Sequence, residues 1–172
     1  LLMEFNPKKR FFSFIRALQN EICKALESFE PRAKFIEDSW KREAGGGGWS
    51  RVLTGQVFEK AGVNVSEVHG PVPEILKSTI PESAKEFYAT GISLVIHPTN
   101  PMIPTTHANF RYFEVVDKAG RIVDQWFGGG ADLTPYYLFD EDATHFHRTL
   151  KQACDNHHND FYSEFKPWCD RY

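Results

Sequence analysis

The chain has 172 residues, 41% of them hydrophobic and 25% charged, with 12 Gly and 10 Pro, which excludes a disordered tail and a collagen-like fibre and suits one domain over residues 1–172. Twenty Lys and Arg against 23 Asp and Glu leave a formal charge of -3, without the broad positive footprint of a nucleic-acid binder, so an anionic ligand has to be met locally. No run approaches the roughly 20 apolar residues of a membrane span, and Leu1-Leu2-Met3-Glu4-Phe5 is too short and acidic for a signal peptide, which places the protein in the cytoplasm.

Phe11, Ile15, Leu18, Ile22, Leu26 and Phe29 recur at spacings of three and four, so residues 8–30 read as an amphipathic helix stopped by Pro31. Residues 35–42 are mixed, and Gly45-Gly46-Gly47-Gly48 reads as a loop because four glycines in succession favour neither a helix nor a strand interior. Short strands are expected at 51–59 and 63–68, broken by Lys60-Ala61-Gly62, and residues 71–85 read as a Pro-punctuated connection with one helical turn.

From Gly91, Ile92, Leu94 and Ile96 alternate with Ser93, Val95 and His97, the period of a strand, which Pro98 ends. A second strand is expected at 106–116 and, after a turn at Lys118-Ala119-Gly120, a third at 121–127. Helices are expected at 140–156 and 160–172, covering one face of an antiparallel sheet. Cys23, Cys154 and Cys169 form no CxxC pair, so buried free thiols are expected rather than disulfides or a zinc knuckle. Aromatic residues, at 15%, are the compositional excess, suited to a core or to a pocket for a flat apolar ligand.

His107, Asn109 and Arg111 fall on alternate positions of the second strand and project from one face, a row suited to orienting a carboxylate. A solvated sheet face would carry the same pattern. Ser93 and His97 form a similar row on the preceding strand, and if the two strands pair, both rows meet. Asp132 follows Gly128-Gly129-Gly130 among apolar neighbours, where desolvation would tune it as a base or cation acceptor, unless it caps the following turn. No glycine run fits a phosphate-binding pattern. His145 and His147, about 200° apart on a helix, cannot both reach one ion.

Glu37-Asp38-Ser39-Trp40-Lys41-Arg42-Glu43-Ala44-Gly45-Gly46-Gly47-Gly48, Phe58-Glu59-Lys60-Ala61-Gly62-Val63-Asn64, residues 93–98, His107-Ala108-Asn109-Phe110-Arg111, residues 126–137, His145-Phe146-His147-Arg148 and Lys166-Pro167-Trp168-Cys169-Asp170 resemble, in order, the oxygen-dependent coproporphyrinogen III oxidase family. The resemblance spans nearly the whole chain. Because members are longer, it marks this sequence as an N-terminal portion, lacking strands and a helix that complete the cleft and the dimer interface in relatives. Ala131 stands where members often carry a bulkier apolar residue.

The resemblance implies an α+β fold, a large and mostly antiparallel sheet flanked by helices, in a homodimer with the cleft between sheet and helices. The reaction it implies converts two propionates of a tetrapyrrole to vinyl groups, with dioxygen as co-substrate, no redox cofactor, and release of carbon dioxide and hydrogen peroxide. Ser93, Asn109 and Arg111 match substrate contacts, His107 the proton donor, and Asp132 a position holding pyrrole N–H groups. His97, His107 and His147 match ligands of a divalent metal in some members, although the residues themselves favour ordinary hydrogen-bonding histidines over metal ligands.

A central acid with cations at the edge complements four inward N–H donors and a carboxylate rim. In that arrangement Arg111 and Arg51 hold propionates and Asp132 lies nearest the chemistry. A tetrapyrrole-binding protein without a complete active site would keep the same pocket. An acyl hydrolase using Ser93 lacks a nucleophile-elbow glycine after the serine.

Overall fold

Asn6 and Pro7 start the first element: the Asn6 side chain accepts the Lys9 N–H at 3.1 Å and Pro7 occupies a position where its missing N–H costs nothing. The resulting helix, α1 (Pro7–Glu27), ends one turn earlier than its periodicity predicts. This computed structural model describes residues 6–172; the opening run from Leu1 to Phe5, read for a leader, lies outside the described residues.

The apolar stripe of α1 buries Ile15 and Cys23, with Phe12, Leu18, Ile22 and Leu26, against Val63, Val65 and Ile92 of the sheet. Gln19 lies inside this stripe, fully buried, and its Nε2 donates to the carbonyls of Trp49 at 3.0 Å and Val63 at 2.8 Å. A buried amide is tolerated there because both donors find acceptors.

The sheet has six strands in sequential, antiparallel order: β1 (Ile36–Lys41), β2 (Gly46–Leu53), β3 (Phe58–Pro71), β4 (Glu86–Pro98), β5 (Thr105–Val116) and β6 (Ile122–Thr134). A single 3₁₀ turn, Glu74–Leu76, interrupts the β3–β4 connection, and α2 (Asp140–Asp155) and α3 (Phe161–Arg171) follow β6. The architecture is the α+β one expected, a mostly antiparallel sheet flanked by helices.

Three expectations are corrected. Gly46, Gly47 and Gly48 are not loop but the start of β2, because β3 pairs with all three and because a Cβ on Gly48 would stand 2.5 Å from the Trp40 ring packed over it. The break expected at Lys60-Ala61-Gly62 is only a register shift between Phe58 and Lys60, and β3 runs on as a single strand. The third strand does not end at Phe127. It continues through the triple glycine, since Arg111, Phe110 and Asn109 of β5 pair with Gly128, Gly129 and Gly130 in turn.

Residues on one face of the sheet pack under α1. On the other, the 72–85 connection folds over one end, where Val72 and Ile80 join Phe87, Val115 and Phe113 in a separate apolar cluster. The middle of that second face stays exposed at Asn64, His97, Gly128 and Asp132. Only Cys23 of the three free thiols is buried, Cys154 being half-buried and Cys169 exposed, so the uniform burial expected of them is corrected. Burial pushes the Cys23 thiol up, against the lowering effect of Arg51. Among the described residues no helix is long and apolar enough to cross a membrane.

Candidate active site

Side chains alternate along a strand, so the register decides which groups share a face. Val95 pairs with His107 and His107 with Asp132; Ser93 pairs with Asn109 and Asn109 with Gly130; Gly91 pairs with Arg111 and Arg111 with Gly128. Three adjacent rows, lying on the face opposite α1, therefore carry Ser93, His107, Asn109, Arg111 and Asp132 together. His97 lies two residues beyond Val95 on the same strand face.

The centre of this arrangement is a direct contact. His107 Nδ1 lies 2.6 Å from Asp132 Oδ2, with the two side chains 36% and 64% exposed. A carboxylate can only accept, so Nδ1 carries the proton in this pair and Nε2 is left for a ligand. The Thr106 hydroxyl donates to the Asp132 carbonyl at 3.0 Å, fixing the strand that presents the acid. Beside the pair, Arg111 Nη2 donates to Asn109 Oδ1 at 2.7 Å, which lays the guanidinium along the row while leaving other donors open.

The glycines of β6 shape the space above these groups. A Cβ on Gly130 would meet nothing within 4 Å, and one on Gly128 only Arg111 Cγ at 3.9 Å, so both leave room over the polar row. Gly129 faces the other way, where a Cβ would stand 2.4 Å from the Asn109 carbonyl. The environment expected for Asp132 is corrected by this geometry. It is an exposed in-strand acid partnered by a histidine, neither desolvated among apolar neighbours nor capping a turn.

Helices α2 and α3 pack on one another, joined by the Tyr162 hydroxyl and His147 Nδ1 at 3.1 Å. Between them and β6 lies a cavity of about 1100 Å³. Gly128, Gly130, Asp132 and Arg111 border it from the sheet, with Phe11 and Phe127 on the α1 side and Phe146, His147 and Trp168 from the helices. Its volume is at the upper end for small-molecule sites, and Arg111 and Asp132 are the groups shared by the cavity and the polar face. Lys166 also reaches the cavity, but its ammonium is paired with Asp170 at 2.6 Å, a contact that pushes its pKa up.

Arg51 is not part of the site. It lies on the α1 side of the sheet, its side chain 18% exposed and its Nε donating to Glu37 at 2.7 Å, so the propionate-holding role expected for it is corrected. Among the described residues no three His, Cys, Asp or Glu side chains gather to hold an ion. His107 is committed to Asp132, and His147 to Tyr162 on the far side of the cavity.

Sequence reasoning missed the His107–Asp132 contact and the place of Gly91. A Cβ on Gly91 would stand 3.1 Å from Arg111 Cβ. The signal was present in the spacing, since a strand carried past the triple glycine puts Asp132 on the His107 face.

The family profile described as Coproporphyrinogen III oxidase matches residues 10–172. A protein of Parasynechococcus marenigrum (strain WH8102), named oxygen-dependent coproporphyrinogen-III oxidase, is 53% identical over 170 residues, covering 97% of this chain and 45% of its own. Proteins with the same name from Synechococcus sp. strains CC9605 and CC9902 are 51% and 52% identical over the same coverage. The chain thus spans about half, 45%, of the length of these curated relatives.

Proposed function

The chain belongs to the coproporphyrinogen III oxidase family, and from that premise we propose that it carries the substrate-binding and proton-handling face of an enzyme that decarboxylates coproporphyrinogen III oxidatively. Each propionate reacts with dioxygen and one proton to give a vinyl group, carbon dioxide and hydrogen peroxide, and two of the four propionates react. Both electrons leave the substrate and reduce dioxygen, so the balance needs no further oxidant.

The observation that supports this reading most is the His107–Asp132 contact beside Arg111 and Asn109 at the rim of a large, mostly apolar cavity. A reduced tetrapyrrole presents pyrrole N–H donors at its centre and carboxylates at its rim. Asp132 accepts a pyrrole N–H, favouring the electron-rich anion from which electrons leave. His107 holds the carboxylate in place and shares its proton. Arg111, oriented by Asn109, takes a propionate, and Ser93 adds a hydroxyl in the same row.

The reading includes a homodimer and a cytoplasmic enzyme, with residues 1–172 folding as one domain. A second reading, binding of the tetrapyrrole without turnover, is favoured by the exposure of Asp132. Oxygen uptake with coproporphyrinogen III, followed together with carbon dioxide release, separates the two. Stoichiometric uptake and release support the enzyme; tight binding with neither supports the carrier. Failure to bind any tetrapyrrole overturns both.

A further inference from the structure

We propose that Asn64 is a further substrate-positioning residue of this face, its side-chain amide donating to a rim carboxylate on the side away from Arg111. The inference rests on the reading that the face binds a tetrapyrrole. Asn64 closes the Phe58-Glu59-Lys60-Ala61-Gly62-Val63-Asn64 run, to which the chemistry above gives no role.

Register places it. Asn64 pairs with Ser93 on β4, Ser93 with Asn109 on β5, and Ser50 on β2 pairs with Asn64 from the other side. One row thus runs Ser50, Asn64, Ser93, Asn109, with about 4.8 Å between neighbours. Asn64 stands two strands, about 10 Å, from the strand that carries Arg111. Carboxylates at separate points of one tetrapyrrole rim can then be held at the two ends, with Ser93 and Asn109 between them.

The surroundings leave the amide available. Asn64 is exposed, and among the described residues no hydrogen bond ties its side chain. Its neighbours on the same strand face are Gly62 and Ser66, with Gly91 and Val95 diagonally across on β4 and Gly48 and Val52 on β2, and among them Asn64 stays exposed. Beneath it, Val63 and Val65 are buried under α1, which holds the strand in place. Asn is disfavoured in strand interiors, so an exposed Asn in the middle of a 14-residue strand works against the fold locally. An amide donates to a carboxylate without bringing a charge, which suits a rim whose main cation is Arg111.

The test is a titration of the protein with coproporphyrin III, a stable tetracarboxylate, and with mesoporphyrin, a dicarboxylate that carries half as many rim acids. Quenching of Trp40 and Trp126, which lie on the same face, reports binding. Asn64→Ala should weaken coproporphyrin binding five- to tenfold and change mesoporphyrin binding less than twofold. Asn64→Asp, which repels a carboxylate, should weaken coproporphyrin binding further, and Asn64→Gln should recover part of the loss. Unchanged coproporphyrin affinity in Asn64→Ala and Asn64→Asp overturns the inference and leaves the tetrapyrrole reading standing. A wild-type protein that binds neither porphyrin overturns that reading and the inference with it.

Discussion

Gly91 lies directly across from Arg111, so close that a methyl group at residue 91 would stand 3.1 Å from Arg111 Cβ and 2.8 Å from the Phe110 carbonyl. The absent side chain is therefore part of how the guanidinium is aimed. Gly91→Ala should displace Arg111, weaken binding of a tetracarboxylate porphyrin about tenfold and destabilise the fold by about 1–3 kcal/mol. Gly130→Ala is the contrasting variant. Its Cβ meets nothing, so the melting temperature should hold while binding falls, because the methyl occupies ligand space. Thermal melts and porphyrin titrations of both variants check the contrast.

Asp132→Asn keeps the shape and the contact with His107 but removes the carboxylate. Turnover should fall about 10²–10⁴-fold, with porphyrin affinity changed less than tenfold. His107→Ala should act mainly on affinity, since it removes the Nε2 that the Asp132 contact leaves open to the ligand. Steady-state oxygen uptake and equilibrium binding, measured on both variants, separate the two roles. Near-normal turnover in Asp132→Asn would remove Asp132 as the base.

Glu30, 2% exposed, ties the end of α1 to the β2–β3 turn: one carboxylate oxygen accepts the N–H groups of Val57 at 2.8 Å and Phe58 at 3.4 Å. Burial alone pushes this carboxyl up, but backbone N–H groups from Val57, Gln56, Phe58 and Arg32 outweigh it and hold it below its ordinary value. The stabilisation is present above the unfolded value, about 4.3, and is lost as pH falls through the lowered folded value. Urea midpoints measured from pH 7 downward should therefore decline below about pH 4.3. Glu30→Gln should lower the midpoint at pH 7 and remove that part of the decline.

Gln19 is the polar group buried in the α1 interface, bonded to the carbonyls of Trp49 and Val63. Gln19→Leu keeps the volume and removes both donors, so the fold should lose about 1–3 kcal/mol. Chemical denaturation should show a lower midpoint with an unchanged slope.

Periodicity made much of this molecule legible. The three- and four-residue spacing of Phe11 through Leu26 specifies α1, and alternation alone puts His107, Asn109 and Arg111 on one face. The glycine runs were misread because their reason lies across the sheet. Gly48 is small because Trp40 packs on it, and Gly129 because the Asn109 carbonyl is close, neither of which local sequence reveals. Ending the third strand at Phe127 hid the Asp132 register, and with it the contact to His107. Its charge suggests Arg51 for a propionate, but the β2–β3 pairing puts it on the α1 side with Glu37. Sequence similarity carried the family, while the partners of each site residue required coordinates.

Titration of isotope-labelled protein with coproporphyrin III, followed through its backbone amide resonances, shows whether the face opposite α1 is the one that meets the tetrapyrrole. Shifts are expected at Ser93, His107, Asn109, Arg111, Gly130 and Asp132, with those of Gln19, Cys23 and Arg51 unmoved. Shifts confined to the α1 side, with the His107 and Asp132 resonances unchanged at saturation, would contradict that expectation.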